Sequence, residues 1–190
     1  MNIIYGGSFN PPTIAHYQIA KYLMDKHPDA SFIFMPTANH YEKRNLLNSS
    51  HRVEMLQLVC DRLGKNASVS TQEIEDPLFL GTYTTLKGYP DAYFVMGADN
   101  LEGISRWIRY PDIIFENKFF IIPRPGVDLE KLWENNVVLQ QARENFIILD
   151  DSPYLEVSSS EYRRTKNAQL VLPSVHEYIQ THQLYEEESS

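Results

Sequence analysis

The sequence predicts a three-layer α/β fold, a doubly wound parallel sheet with helices closing the chain at its C-terminal end. Three observations predict it. Short apolar runs of strand length recur along the chain, segments with helical spacing separate them, and no repeat, low-complexity linker or internal boundary divides the 190 residues. Strands alternating with helices inside one domain imply parallel pairing through right-handed crossovers. Ligands of such sheets belong beyond the C-terminal ends of the strands. One domain is expected over residues 1–185, followed by an acidic, solvated tail at 186–190.

Each element has its own signal. Asn2 to Tyr5 is a short apolar strand ended by Gly6 and Gly7, where the backbone must turn. A helix follows, with Ile14, Tyr17, Ala20, Leu23 and Met24 on one face and His27-Pro28 as its stop. Ser31 to Met35 is the second strand, and Pro36 to Asn48 is a polar, basic loop. Ser49 or Ser50 is expected to cap a helix with Val53, Leu56, Val59, Cys60 and Leu63 inward, stopped by Gly64. Ala67 to Ile74 reads as a strand, Ala92 to Met96 as another, and short helical stretches are expected around Trp107 and from Asp112 to Phe115. Lys118 to Ile122 is a strand, Val127 to Arg143 a helix, Phe146 to Leu149 a strand, and the last two helices start near Ser158 and Ser174.

Composition bounds the function. Apolar residues make up 43% and charged residues 22%, ordinary globular values. No apolar run reaches the roughly 18 residues that a membrane helix needs, and the N-terminus has no basic, signal-like segment, so a cytoplasmic location is expected. A formal charge of -8 argues against nucleic acid or an anionic membrane as partner. Small anions respond to a local cluster instead and stay open. The one cysteine, Cys60, has no disulfide partner and reads as packing.

Four constellations carry chemistry. In GGSFNPPTIAH a strand runs through a small-residue turn into a helix, so main-chain N–H groups of Gly7, Ser8 and Phe9 can face one anion. Thr13 and His16 share a face of the first helical turn, and both are expected to donate to a phosphate. VSSSEYRR has the Ser158–Glu161 spacing of a capping box, and Arg163 and Arg164 so near a helix start suit a polyphosphate. The loop FMPTANHYEKR and the following HRVEML offer His40, Lys43, Arg44 and Arg52. Finally, YFVMGADNLEGISRW ends a strand in Gly97-Ala98-Asp99 at the ligand-bearing sheet edge.

TIAH, Thr13 to His16, resembles the (H/T)xGH signature of the nucleotidyltransferase superfamily that shares its fold with class I aminoacyl-tRNA synthetases, with Ala15 in place of the glycine and Asn10 where bacterial members often carry aspartate. VSSSEYRR is similar to the ISSTxIR motif of the same superfamily. The loop lysine Lys43, GADN, Trp107, FFIIPRPG and the closing LPSVHEYIQTHQLY narrow the resemblance to bacterial nicotinate mononucleotide adenylyltransferases, over nearly the whole chain. Glu42 replaces the histidine that precedes the loop lysine, and TYTTLKGY is shorter than the corresponding Tyr-Thr segment.

The resemblance implies a Rossmann-like domain and an enzyme that joins AMP from ATP to nicotinate mononucleotide. It implies His16, Thr13, Lys43 and Arg163 as catalytic groups. ATP would lie against Gly7, Ser8, Phe9, His16, Gly97, Asp99, Arg124, Ser158, Ser159 and Arg163. The mononucleotide would lie against Lys43, Arg52, Thr84, Thr85, Asp99 and Trp107. Magnesium would arrive with ATP, and no protein metal cluster is visible in the sequence. Two other readings stand beside this one: the same fold with nicotinamide mononucleotide, phosphopantetheine or a sugar or polyol phosphate as acceptor, and a nucleotide-binding regulatory protein without turnover. The sequence leaves the oligomeric state open.

Overall fold

The computed structural model describes residues 1–38, 46–76, 81–153 and 156–186. His40, Glu42, Lys43 and Arg44, and the tail beyond Glu186, lie outside the described residues. The chain runs β1 Asn2–Gly7, α1 Ile14–Lys26, β2 Ser31–Pro36, α2 Ser49–Leu63, β3 Ala67–Val69, α3 Gln72–Glu75, α4 Gly81–Lys87 and β4 Tyr93–Gly97. It continues with α5 Asp99–Glu102, α6 Asp112–Glu116, β5 Lys118–Ile122, α7 Leu129–Asn135, α8 Val137–Gln141, β6 Phe146–Ile148, α9 Ser159–Thr165 and α10 Pro173–Thr181.

The six strands form one sheet in the order β3-β2-β1-β4-β5-β6, and every pair is parallel. This is the doubly wound arrangement, which reverses direction between β1 and β4. Alternate strand residues face opposite sides, so the core is split in two. Ile3, Tyr5, Phe32 and Phe34 pack under α1, α2 and α10 with Leu23, Leu56 and Val175. Ile4, Ile33, Phe94, Met96 and Ile121 pack on the other face with Ile113, Ile114 and Trp133. Cys60 is buried in the first half, and burial pushes its thiol up to about 12, as suits a packing residue.

Three elements differ from the sequence reading. Asn48, one residue earlier than the expected serines, caps α2 by accepting from Ser50 N–H at 3.1 Å. The strand expected over Ala67 to Ile74 ends at Val69; the chain then leaves the sheet, turns at Thr71 and forms α3, which carries Glu73 inward. The helix expected over Val127 to Arg143 is broken at Asn136, whose backbone is extended and whose side chain accepts from Val138 and Leu139 N–H to start α8.

Candidate active site

The reversal between β1 and β4 leaves a gap above their C-terminal ends, because the connections leave toward opposite faces. The strand ends there must be small. A Cβ on Gly6 would come within 2.5 Å of the Phe94 ring, and one on Gly97 would run into the Asp99 carboxylate and lie 3.1 Å from Arg124 Nε. Above this floor lies a cavity of about 420 Å³, walled on one side by Ser8, Phe9, His16 and Ser159 and on the other by Glu73, Thr82, Phe94 and Trp107. Asp99 and Arg124 also line the cavity, 3.8 Å apart and both solvent-accessible. A second cavity of about 540 Å³ shares Thr82, Asp99, Asn100 and Trp107 and extends toward Tyr83 and Arg106.

His16 is held by its own helix start. Thr13 N–H donates to His16 Nδ1 at 2.9 Å, and Thr13 Oγ1 lies 2.8 Å from the same nitrogen. A main-chain N–H can only donate, so Nδ1 is the acceptor and the neutral ring carries its proton on Nε2. Burial, and then the charge of Arg124, lowers the His16 pKa to about 4. The group offered to the cavity is therefore a neutral N–H donor at ordinary pH. Thr13 is 1% exposed and stands behind His16 rather than in the cavity wall. The expectation that it donates to the same phosphate is thus corrected: its hydrogen-bonding groups are turned to the imidazole.

Phe9 meets the cavity from a left-handed backbone, φ 44°. A bulky residue there costs roughly 1–2 kcal/mol. Its ring is buried edge-on against Tyr5, Phe34 and His16, which holds the turn in place. Ala15, which replaces the signature glycine, is half-buried and is not part of the described cavity wall.

Arg52 is a second correction. The resemblance placed it on the mononucleotide, but it is 0% exposed and donates to Leu47 O at 3.1 Å, Ser8 O at 2.9 Å and Thr37 O at 2.7 Å. It braces the turn after β1 against the segment after β2. Thr84 and Thr85 are not among the residues that border the two cavities. Thr84 is exposed, while Thr85 is buried and donates to Glu73 Oε1 at 3.0 Å. Helix α4 begins at Gly81 and turns Thr82 to the cavity instead. Sequence reasoning missed Thr82 and Glu73; Glu73 sat in a segment read as strand, and only the turn into α3 points it inward.

On the phosphate side, Ser158 caps α9 by accepting from Glu161 N–H at 3.1 Å, and Ser159 Oγ donates to Pro11 O at 2.8 Å. Arg163 Nη1 donates to Asn10 O at 2.6 Å and Nη2 to Ser160 Oγ at 3.1 Å, tying α9 to the GSFNPP turn. Ser158, Arg124 and Arg164 border a further cavity of about 540 Å³. Trp107 stands edge-on to Phe94, 6.0 Å between ring centres, is half-buried and borders both main cavities.

A doubly wound sheet with a neutral histidine donor at the reversal point, a serine-capped helix and arginines nearby offers donors suited to nucleotide phosphates. Residues 4–165 match the cytidylyltransferase-like family. A probable nicotinate-nucleotide adenylyltransferase of Acholeplasma laidlawii is 33% identical over 98% of both chains. The counterpart from Bacillus licheniformis is 32% identical over 96% of this chain and 97% of its own. The chain belongs to the cytidylyltransferase-like family and, within it, to the nicotinate-nucleotide adenylyltransferases. A nicotinamide/nicotinic acid mononucleotide adenylyltransferase of Oryza sativa is 28% identical over 97% of this chain and 86% of its own. The fold is also that of Plasmodium falciparum nicotinic acid mononucleotide adenylyltransferase complexed with NaAD, with TM-score 0.73, 22% identity, and coverage of 97% of this chain and 96% of that one.

Proposed function

We propose that this enzyme transfers the AMP moiety of ATP to nicotinate mononucleotide, forming deamido-NAD and pyrophosphate. The observation that carries the mechanism is His16, fixed by Thr13 as an Nε2–H donor above the reversal point between β1 and β4. An oxygen of the mononucleotide phosphate attacks the α-phosphorus of ATP in line. A new P–O bond forms as the bond to the bridging oxygen of the β-phosphate breaks, and that electron pair leaves with pyrophosphate. No protein nucleophile is needed, so catalysis consists of positioning and of stabilising charge. His16 donates to the α-phosphate. Ser158 receives the β- and γ-phosphates, joined by Ser159 when its hydroxyl exchanges the Pro11 carbonyl for a phosphate oxygen, with Arg124 and Arg164 bordering that side. Arg163 joins them when its Nη1 exchanges the Asn10 carbonyl for a phosphate oxygen.

Trp107 and Thr82 face the acceptor ring, and Asp99 faces a ribose hydroxyl. Lys43 supplies further positive charge on the phosphates in this scheme. Magnesium belongs to the same proposal. Among the described residues no three His, Cys, Asp or Glu side chains are grouped to hold an ion, and the exposed carboxylate of the main cavity, Asp99, lies beside Arg124. That donor set suits an ion that keeps its waters and binds chiefly to phosphate oxygens, where it neutralises charge on the polyphosphate. No helix among the described residues is long and apolar enough to cross a membrane, and we place the enzyme in the cytoplasm with its nucleotide substrates.

The test is pyrophosphate release from ATP and magnesium with nicotinate mononucleotide, nicotinamide mononucleotide or phosphopantetheine as acceptor. The nicotinate compound is expected to react fastest. Equal rates with all three overturn the acceptor assignment, and ATP binding without release from any of them favours a regulatory protein.

A further inference from the structure

We propose that Glu73 is a specificity-determining residue for the acceptor: its carboxyl group, at the ring end of the cavity, distinguishes an acidic from an amide substituent on the acceptor's heterocycle. This rests on the pyridine mononucleotide reading above and deepens it. Glu73 is 4% exposed, yet it borders the main cavity together with Thr82, Phe94 and Trp107. Its Oε1 accepts from Thr85 Oγ1 at 3.0 Å, which fixes the plane of the carboxyl group. Among the described residues no other hydrogen-bond partner engages the carboxyl group, so its second oxygen meets whatever fills the cavity. A buried polar group left in a binding wall discriminates strongly, because the wrong ligand leaves it unpaired.

The charged surroundings determine which form does the reading. On the same helix, Glu75 is exposed and accepts from Thr71 Oγ1, and Asp76 follows directly at the helix end. Strand β2, which packs against α3, carries no titratable side chain. On α4, Tyr83 and Lys87 are both engaged by Glu116, at 2.8 and 2.6 Å. Across the cavity stand Tyr5, His16, Asp99 and Arg124, the last two 3.8 Å apart. Burial raises the Glu73 carboxyl, the Thr85 hydrogen bond opposes the rise and Asp76 adds to it, for a value of about 7. Near neutral pH both forms are therefore populated. The protonated carboxyl donates a hydrogen bond to a ring carboxylate. The ionised carboxylate repels that group and accepts from a ring carboxamide N–H instead.

The consequence is an acceptor preference that changes with pH. The ratio of kcat/KM for nicotinate to that for nicotinamide mononucleotide should fall at least tenfold between pH 5.5 and 8.5. Titrations of ATP, of the acceptor phosphate and of His16 are common to both substrates and cancel in the ratio. In Glu73→Gln, which keeps an oxygen acceptor for Thr85 and cannot change charge, the ratio should be flat. In Thr85→Val, which removes the hydrogen bond that lowers the carboxyl pKa, the midpoint of the fall should move to higher pH. A flat ratio in the wild-type enzyme, or an undiminished pH dependence in Glu73→Gln, overturns the proposal. Turnover of nicotinate mononucleotide with a flat ratio leaves the acceptor reading standing, whereas no turnover of either pyridine nucleotide overturns both.

Discussion

Arg52→Met separates a brace from a ligand-binding residue. The guanidinium is fully buried and donates to the carbonyls of Leu47, Ser8 and Thr37. Methionine keeps much of the apolar stem, so the loss falls mainly on the hydrogen bonds that the guanidinium donates. A buried acceptor left without a partner costs about 1–3 kcal/mol. Ser8 and Thr37 border the cavity and can regain water, so the penalties do not add in full. The expected destabilisation is about 3–5 kcal/mol, below the full sum for these carbonyls. In urea, with a slope of about 2.5 kcal/mol per molar, the midpoint should fall by about 1–2 M. Tryptophan fluorescence from Trp107 and Trp133 reports the transition. An unchanged midpoint together with a large rise in KM for the mononucleotide would refute the reasoning and return Arg52 to the acceptor.

Other outcomes follow from the same geometry. His16→Ala should lose roughly 3 kcal/mol of transition-state stabilisation, about a hundredfold in kcat by pyrophosphate release; near-normal turnover removes His16 from the mechanism. Because Thr13 N–H occupies Nδ1 and burial holds the ring neutral down to about 4, imidazole nitrogen shifts at pH 6 should show the Nε2–H tautomer, and an imidazolium signal there contradicts the lock. Gly97→Ala should raise KM for nucleotide while the far-ultraviolet circular dichroism is unchanged, since its methyl group would displace Asp99 and Arg124; an unaltered KM denies that the two side chains position substrate.

Glu73 also makes stability depend on pH. Its folded pKa of about 7 lies above the ordinary 4.5, so the folded state holds the proton more tightly and stability falls as pH rises from about 4.5 through about 7. At about 1.36 kcal/mol per pH unit, Glu73→Gln should gain up to about 3 kcal/mol over the wild type at pH 8 and nothing at pH 4. Equal gains at both pH values in denaturant melts would show that the carboxyl does not titrate in this window.

What the sequence determined by itself was whatever short-range pattern encodes. Alternating apolar runs specified the parallel α/β sheet; Lys118 to Ile122 and the limits of α1 follow from local periodicity and a proline stop. GGSFNPPTIAH placed His16 beside a strand end because strand, turn and helix are contiguous, and VSSSEYRR placed Ser158 as a cap for the same reason. Tertiary structure decided which polar groups reach the cavity. Arg52 and Thr13 carry the chemistry of phosphate ligands, but carbonyls from two other segments claim the first and an imidazole one helical turn away claims the second. Thr85 turned toward Glu73 because α4 begins at Gly81, leaving Thr82 to face the cavity. Hydrogen-bonding capacity is a property of residue type, whereas its satisfaction depends on packing between segments distant in the chain; that is why the strand-to-helix turn beside His16 could be read in advance and the buried carboxyl of Glu73 in the cavity wall could not.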